Sequence, residues 1–303
     1  MSLEILALLM FAALMVAIFI GHPLAFSLGG VALVFGLIGW DWNYTAVTSM
    51  FITRVWGGMD NFVLVAVPLF ILMAQILDAS GMAERLFHAL HVIMGPVRGG
   101  LGLATVLVCT IFAASTGIVG ATEVAIGLLA APALLRRKYD VSLTAGSICA
   151  GGTLGILIPP SIMLVVYGGM VGLSVGKLFA AAMVPGLILS GLYMLYILIR
   201  CGLKPELGPP LPIEERVFTL NQKVRLVMTS LVPIMVLILV VLGSIVLAIA
   251  TPTEASGLGV LGAIFLAAIY KKLSWKVLHD SFYATLKTTS LVLTLYIGGN
   301  CFS

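Results

Sequence analysis

Two stretches of this chain place polar and conformationally permissive residues inside long apolar runs. Residues 111–127 read IFAASTGIVGATEVAIG, and residues 150–161 read AGGTLGILIPPS. In the first, Ser115, Thr116, Gly117, Gly120, Ala121 and Thr122 are small or hydroxylated. In the second, Pro159 and Pro160 bring no amide hydrogen, so carbonyls one turn earlier lose their helical donor. Gly151, Gly152 and Gly155 permit unusual backbone angles and close approach. Backbone cannot be left unpaired against lipid, so irregular structure at membrane depth must be buried or line a cavity. The expected product is an unwound span whose free carbonyls face a hairpin tip. Carbonyls with Ser and Thr hydroxyls suit a hard monovalent cation, and the positive N-terminal ends of half-helices suit a carboxylate. One broken element thus offers a sodium site and half of a carboxylate site. The same Gly, Ser and Thr residues could serve helix packing alone. The conjunction of a polar tip with GGTLG and PPS favours ligand binding.

Intramembrane carboxylates are costly and usually face a cavity or a partner. Glu123 sits on the second arm of the proposed hairpin. It could be a proton or cation site, or it could cap backbone amides near the tip. Glu254, in Thr251-Pro252-Thr253-Glu254, falls in a first helical turn, where an acid favours the helix N-terminus. His22 marks the start of a span and reads as interfacial, and Asp60-Asn61 reads as a helix cap. Cys109, Cys149, Cys201 and Cys301 follow no metal-ligand spacing and read as packing residues. No HExxH motif and no paired intramembrane aspartates occur, so little supports an intramembrane enzyme. A passive channel would need a polar stripe through several spans, whereas polarity here is concentrated at two elements.

The elements that must position these residues follow from hydropathy. Hydrophobic residues make up 61% of 303 positions and charged residues 9%, with mean hydropathy +1.19. Soluble domains carry about 25% charged residues, so this composition predicts an all-α, polytopic membrane protein. The net charge of +4 does not indicate nucleic-acid binding, because the basic residues fall in loops near the membrane. Apolar segments cover 3–20, 23–40, 62–79, 100–135, 142–170, 178–200, 226–249, 252–270 and 284–303. The N-terminal run lacks a basic n-region and a cleavage site, which favours a first span over a signal peptide. Residues 82–97 read as an amphipathic helix in the headgroup plane.

With the N-terminus outside and 100–135 a re-entrant hairpin, the inner connectors are 80–99, 136–141, 200–225 and 271–287. They hold every Lys and Arg except Arg54 and Lys177, the positive-inside expectation. Trp40, Trp42, Tyr44 and Trp56 then cluster at the outer interface and Trp275 at the inner one. Pro23, Ser27 and Gly30 recur in register as Pro252, Ser256 and Gly259, each set following a long apolar span. The first copy starts outside and the second inside, which predicts an inverted-topology repeat. The expected organisation is a first scaffold segment over 1–99 and the first half of a transport domain over 100–200, with hairpin 100–135 and broken span 142–170. A cytoplasmic connector over 201–225 and the start of a second repeat over 226–303 follow. By the repeat, counterparts of residues 100–200 are expected beyond Ser303, implying a truncated or partly represented polypeptide unless another chain supplies the remainder.

The run from Ser115 through Gly127, then Arg136–Asp140, GGTLGILIPPS and VGLSVGKLFAAAMVPGL at 171–187, resembles the large membrane subunit of tripartite ATP-independent periplasmic (TRAP) transporters. TPTEA at 251–255 resembles the start of that family's second repeat. The likeness covers nearly the whole chain. It implies an elevator-type carrier in a bacterial inner membrane, sodium as the coupling ion with no other cofactor, and organic-acid (carboxylate) substrates. It also implies two partners: a small four-span membrane subunit and a periplasmic substrate-binding protein. Carried over, the sodium site uses Ser115, Thr116 and Gly117 with carbonyls near Gly155, Ile158 and Pro160. Thr122, Gly152, Thr153, Pro159 and Ser161 are placed at the substrate cavity. The Ser115-Thr116-Gly117 tip and Glu123 depart from the serine-rich tip of many relatives. A related elevator-type carrier working without a binding protein is the alternative.

Overall fold

The computed structural model describes residues 2–117, 119–212 and 219–303, with the side chains of Thr116, Val119, Ala121 and Leu220 outside the description. Glu214, Glu215 and Arg216 of the connector lie outside the described residues. Among those described there are helices and turns and no strand. The order is α1 (Leu3–Phe19), α2 (Leu24–Gly39), α3 (Tyr44–Met59), α4 (Ala66–Ala79), α5 (Met82–Met94), α6 (Gly100–Thr116), α7 (Val119–Arg136), α8 (Val141–Leu157), α9 (Ile162–Val171), α10 (Val175–Leu203), α11 (Leu220–Val246), α12 (Pro252–Ile269) and α13 (Trp275–Phe302). Segments Phe62–Ala79, Val141–Val171, Val175–Leu203, Asn221–Val246 and Pro252–Ile269 are long and apolar enough to cross a bilayer. The protein is an all-α, polytopic membrane protein, in which helices keep backbone polar groups paired away from water.

The chain divides into two compact units, Met1–Phe62 with Leu286–Ser303, and Val63–Thr285. In the first, the end of α13 packs on both α2 and α3. A Cβ at Gly58 would stand 3.0 Å from the side chains of Asn300 and Tyr296, and one at Gly298 2.6 Å from the Ala25 carbonyl oxygen. The rings of Phe11 and Phe302 meet edge-on at 6.1 Å. Trp40, Trp42, Tyr44 and Trp56 are exposed, as an aromatic belt requires. His22 is exposed in the turn between α1 and α2. Asp60 closes α3 at its C-terminal end, and a 3-10 turn over Phe62–Val65 leads into α4.

In the second unit α4 is the most enclosed element, with Ala66, Val67, Ile71 and Ile76 fully buried. It packs along α12, where Gly259 admits the Met73 sulfur. α12 opens with a capping box: the Thr251 hydroxyl accepts from the Glu254 N–H (3.3 Å), and the Glu254 carboxylate accepts from the Thr251 N–H (2.8 Å). This is the structural role expected for Glu254. α5 is amphipathic as its sequence predicts, and its apolar residues, Leu86, Phe87 and Leu90 among them, are buried. They are covered by protein, since α5 packs on α6 and α11.

The base of the hairpin α6–α7 is stitched by the turns that surround it. The Tyr139 hydroxyl accepts from the Leu101 N–H at 3.1 Å, joining the end of α7 to the start of α6. Burial pushes the Tyr139 phenol up to about 12, so it stays protonated at every physiological pH. The Gly99 N–H donates to the Gly208 carbonyl (2.9 Å), the Asp140 N–H to the Leu207 carbonyl (3.1 Å) and the Leu211 N–H to the Gly95 carbonyl (2.8 Å). The segment after α10 therefore lies across the base rather than looping away. The Tyr139→Phe variant should lose about 1–3 kcal/mol of stability by orphaning a buried amide. Thermal unfolding of the full-length protein in detergent measures this, and an unchanged midpoint would show that the bond is dispensable.

Candidate functional site

α6 and α8 are both 17 residues long, about 25 Å at helical rise. Tyr139 ties the start of α6 to the residue just before Asp140, which caps α8 by accepting from the Leu143 N–H at 2.9 Å. The two helices therefore leave a common base and end at one depth. α6 ends at Gly117, in the left-handed conformation (φ 63°), with its N–H donating to the Ala113 carbonyl. α8 ends at Leu157, and residues 158–161 run non-helically, with a cis bond between Pro159 and Pro160, before α9 starts at Ile162.

These two ends touch. A Cβ on Gly117 would stand 2.8 Å from the Pro160 carbonyl oxygen, 3.1 Å from the Ile162 nitrogen and 3.3 Å from the Ser161 Cα. Gly117 is thus required twice, for its positive φ and for the absence of a side chain. In a continuous helix the Gly155 carbonyl would pair with residue 159, but Pro159 has no N–H to give. The Ile156 carbonyl instead accepts from the Ser161 hydroxyl at 2.8 Å. Because that hydroxyl is engaged there, Ser161 makes no side-chain cap on α9. The first amides of α9 consequently lie beside the hairpin tip without a cap from the Ser161 side chain.

The residues singled out in the sequence fall into separate environments. Gly117, Ile158, Pro160 and Ser161 are brought together at the tip and the break, where Ile158, Pro159, Pro160 and Ser161 are buried. Ser115 is buried, and its hydroxyl donates to the Phe112 carbonyl (2.7 Å) of its own helix. The Thr116 side chain, one of the expected sodium ligands, lies outside the described residues. Thr122 is fully buried, and Gly152 and Gly155 are buried on α8. Thr153 is exposed on α8, with its hydroxyl donating to the Ala150 carbonyl (2.7 Å).

Glu123 lies directly on Gly152: a Cβ there would overlap the Glu123 side chain. Sequence reasoning marks Glu123 and Gly152 separately and does not pair them. The signal available was size, because a glycine is the residue that lets a carboxylate-bearing side chain lie flat between two packed helices. Gly151, beside it, faces Cys109, whose sulfur would be 2.8 Å from an added Cβ. A hydroxyl pair, Thr110 and Ser190 at 2.6 Å, joins α6 to α10 behind the tip.

Residues 11–303 match the family described as Tripartite ATP-independent periplasmic transporter, DctM component. Over 312 aligned positions the chain is 33% identical to the C4-dicarboxylate TRAP transporter large permease protein of Rhodobacter capsulatus, covering 98% of this chain and 68% of that protein. It is 38% identical over 208 positions to the protein of the same description from Pseudomonas aeruginosa, covering 69% of this chain and 47% of the relative. It is 31% identical over 291 positions to the 2,3-diketo-L-gulonate TRAP transporter large permease protein of Escherichia coli, covering 95% and 65%. The chain thus spans about half to two thirds of the length of these relatives.

Gly117→Ala should destabilise the full-length protein by more than about 1 kcal/mol, since it adds a left-handed alanine to a steric conflict with backbone. Equilibrium unfolding measures the loss, and a neutral result would mean that the tip does not seat on the break. Gly152→Ala should also destabilise, and Glu123→Ala in the same protein should restore part of the loss. A coupling of about 0.5–3 kcal/mol in that double-mutant cycle is expected for residues in contact, and additivity would separate them.

Proposed function

The chain belongs to the DctM family of tripartite ATP-independent periplasmic transporters, and from that membership we propose that it carries the first half of a sodium-coupled carrier for organic acids. The observation that carries the proposal is the seating of Gly117 against Pro160, Ser161 and Ile162. It gathers backbone oxygens of the break, the Ser115–Thr116–Gly117 tip and the amide end of α9 into one place. In this reading the sodium ion is held by oxygens of Ser115, Thr116, Gly117, Gly155, Ile158 and Pro160. The substrate carboxylate is met by the positive end of α9, with Thr122, Gly152, Thr153, Pro159 and Ser161 around it. Cation and anion neutralise each other, so neither crosses the low-dielectric slab as a bare charge. That mutual dependence is the physical basis of symport.

The substrate class is supported by relatives named for a C4-dicarboxylate and for 2,3-diketo-L-gulonate. The protein works in the bacterial inner membrane with its N-terminus in the periplasm. It pairs with a small four-span subunit and receives substrate from a periplasmic binding protein, and the tip and break move together as part of an elevator. Glu123, beside Gly152, is the group through which a proton or second cation enters the cycle.

Reconstitution tests this reading. The full-length protein with its small subunit and binding protein should take up labelled organic acids into liposomes only under an inward sodium gradient. Uptake that persists when potassium replaces sodium would sink the coupling, and uptake without the binding protein would favour a binding-protein-independent carrier. Thr116→Leu should insert normally yet raise the sodium needed for half-maximal uptake about tenfold or more, a loss of about 1.4 kcal/mol in ion binding.

A further inference from the structure

Away from the tip, α8 and α10 enclose a groove of ≈ 470 Å³. Its long walls are Leu143, Gly146 and Ala150 on α8 and Leu192 and Tyr196 on α10, and Arg200 stands toward one end. Leu192 and Tyr196 are exposed, on a helix long and apolar enough to cross the bilayer, so this groove opens sideways rather than toward the hairpin tip. The volume lies within the range of built small-molecule sites, about 300–1,000 Å³.

The two ends of the groove differ in chemistry. Along its length the walls are mainly aliphatic and aromatic, with Ser147 among them. At the end nearest the hairpin base, Arg200 lies 6.0 Å from the centre of the Tyr196 ring, and Lys204 follows one turn later. Arg137 and Lys138 arrive at the same end, because the Asp140 N–H donates to the Leu207 carbonyl and fastens their turn to the segment after α10. Among the described residues, Asp140 and Glu206 are the acids at this end. The Asp140 carboxylate already accepts from the Leu143 N–H at 2.9 Å, and Glu206 is exposed. Arg200, in the groove lining, and Lys204 give this end a cationic rim.

We infer that the α8–α10 groove is a binding site for an anionic phospholipid of the surrounding bilayer, with an acyl chain along Leu143, Gly146 and Leu192 and its phosphate at Arg200 and Lys204. Basic pockets between membrane helices hold acidic headgroups in this way, and long cationic side chains at a helix end reach into the headgroup layer. The occupant is specified by the pairing of an apolar trough with a cationic rim. A protein partner would not need that polarity gradient along one groove, and a soluble anion would not need the trough.

Gly146 supplies the test. Nothing lies within 4 Å of a Cβ added there, and Gly146 lines the groove, so a leucine side chain at this position has room to start and extends into the trough. The full-length protein would be placed in nanodiscs of phosphatidylcholine containing a minor fraction of phosphatidylglycerol, and retained lipid counted by native mass spectrometry. The wild type should retain phosphatidylglycerol over phosphatidylcholine by about tenfold. Arg200→Gln should cut the preference to about twofold, and Gly146→Leu should lose the retained lipid while keeping the wild-type melting temperature in plain detergent. Absence of a headgroup preference, or retention unchanged in Gly146→Leu, overturns the site. Unfolding of Gly146→Leu in detergent also overturns it, because protein would then fill the groove.

Discussion

Two backbones can come as close as the hairpin tip and the break in the next span only where one of them carries no side chain. Gly117 meets that condition against Pro160, Ser161 and Ile162, in a conformation that L-residues with a Cβ adopt at a cost. The rest of the second unit is arranged so that this approach happens at one depth. α6 and α8 leave a shared base at Leu101, Tyr139 and Asp140 and have the same length. A difference of one turn would shift the tip by about 5 Å relative to the break and separate them.

The site is polar without being charged. Its oxygens are main-chain carbonyls and hydroxyls, and several are committed within their own helices, as Ser115 to Phe112 and Ser161 to Ile156 show. A buried carbonyl with one lone pair spare costs less to hold in apolar surroundings than an ionised carboxylate does. Glu123 is the exception at this depth, and the structure gives it an unusual support in Gly152.

Much of this was readable from residue order. The apolar runs locate the spans, the polar tip at 115–122 locates a hairpin, and Pro159-Pro160 locates the end of α8. The Thr251–Glu254 cap and the amphipathic α5 are likewise legible, because each depends on neighbours in sequence. What was not legible depends on dilution or on distance. α3 carries Thr45, Thr48, Ser49, Thr53 and Arg54, which lower its hydropathy below that of a span, and the hydroxyls of Thr48, Ser49 and Thr53 pair with their own helix. α13 begins at Trp275, well before the apolar run at 284, because Lys276, His279 and Asp280 mask its first turns. The pattern of α5 shows an apolar face but not whether lipid or protein covers it. Nor can residue types announce the links at Gly99–Gly208 and Gly95–Leu211, which join backbone to backbone.

Those same links have a mechanical consequence. The chain leaving α10 is clasped to the turn before α6 at Gly95 and Gly99 and to the turn before α8 at Asp140. The end of α10 and the starts of α6 and α8 are thereby linked by main-chain pairing. A force applied to the start of α6 is passed through these bonds to the end of the long neighbouring helix α10. A surface charge altered by substitution leaves such a clasp in place, since no side chain takes part in it.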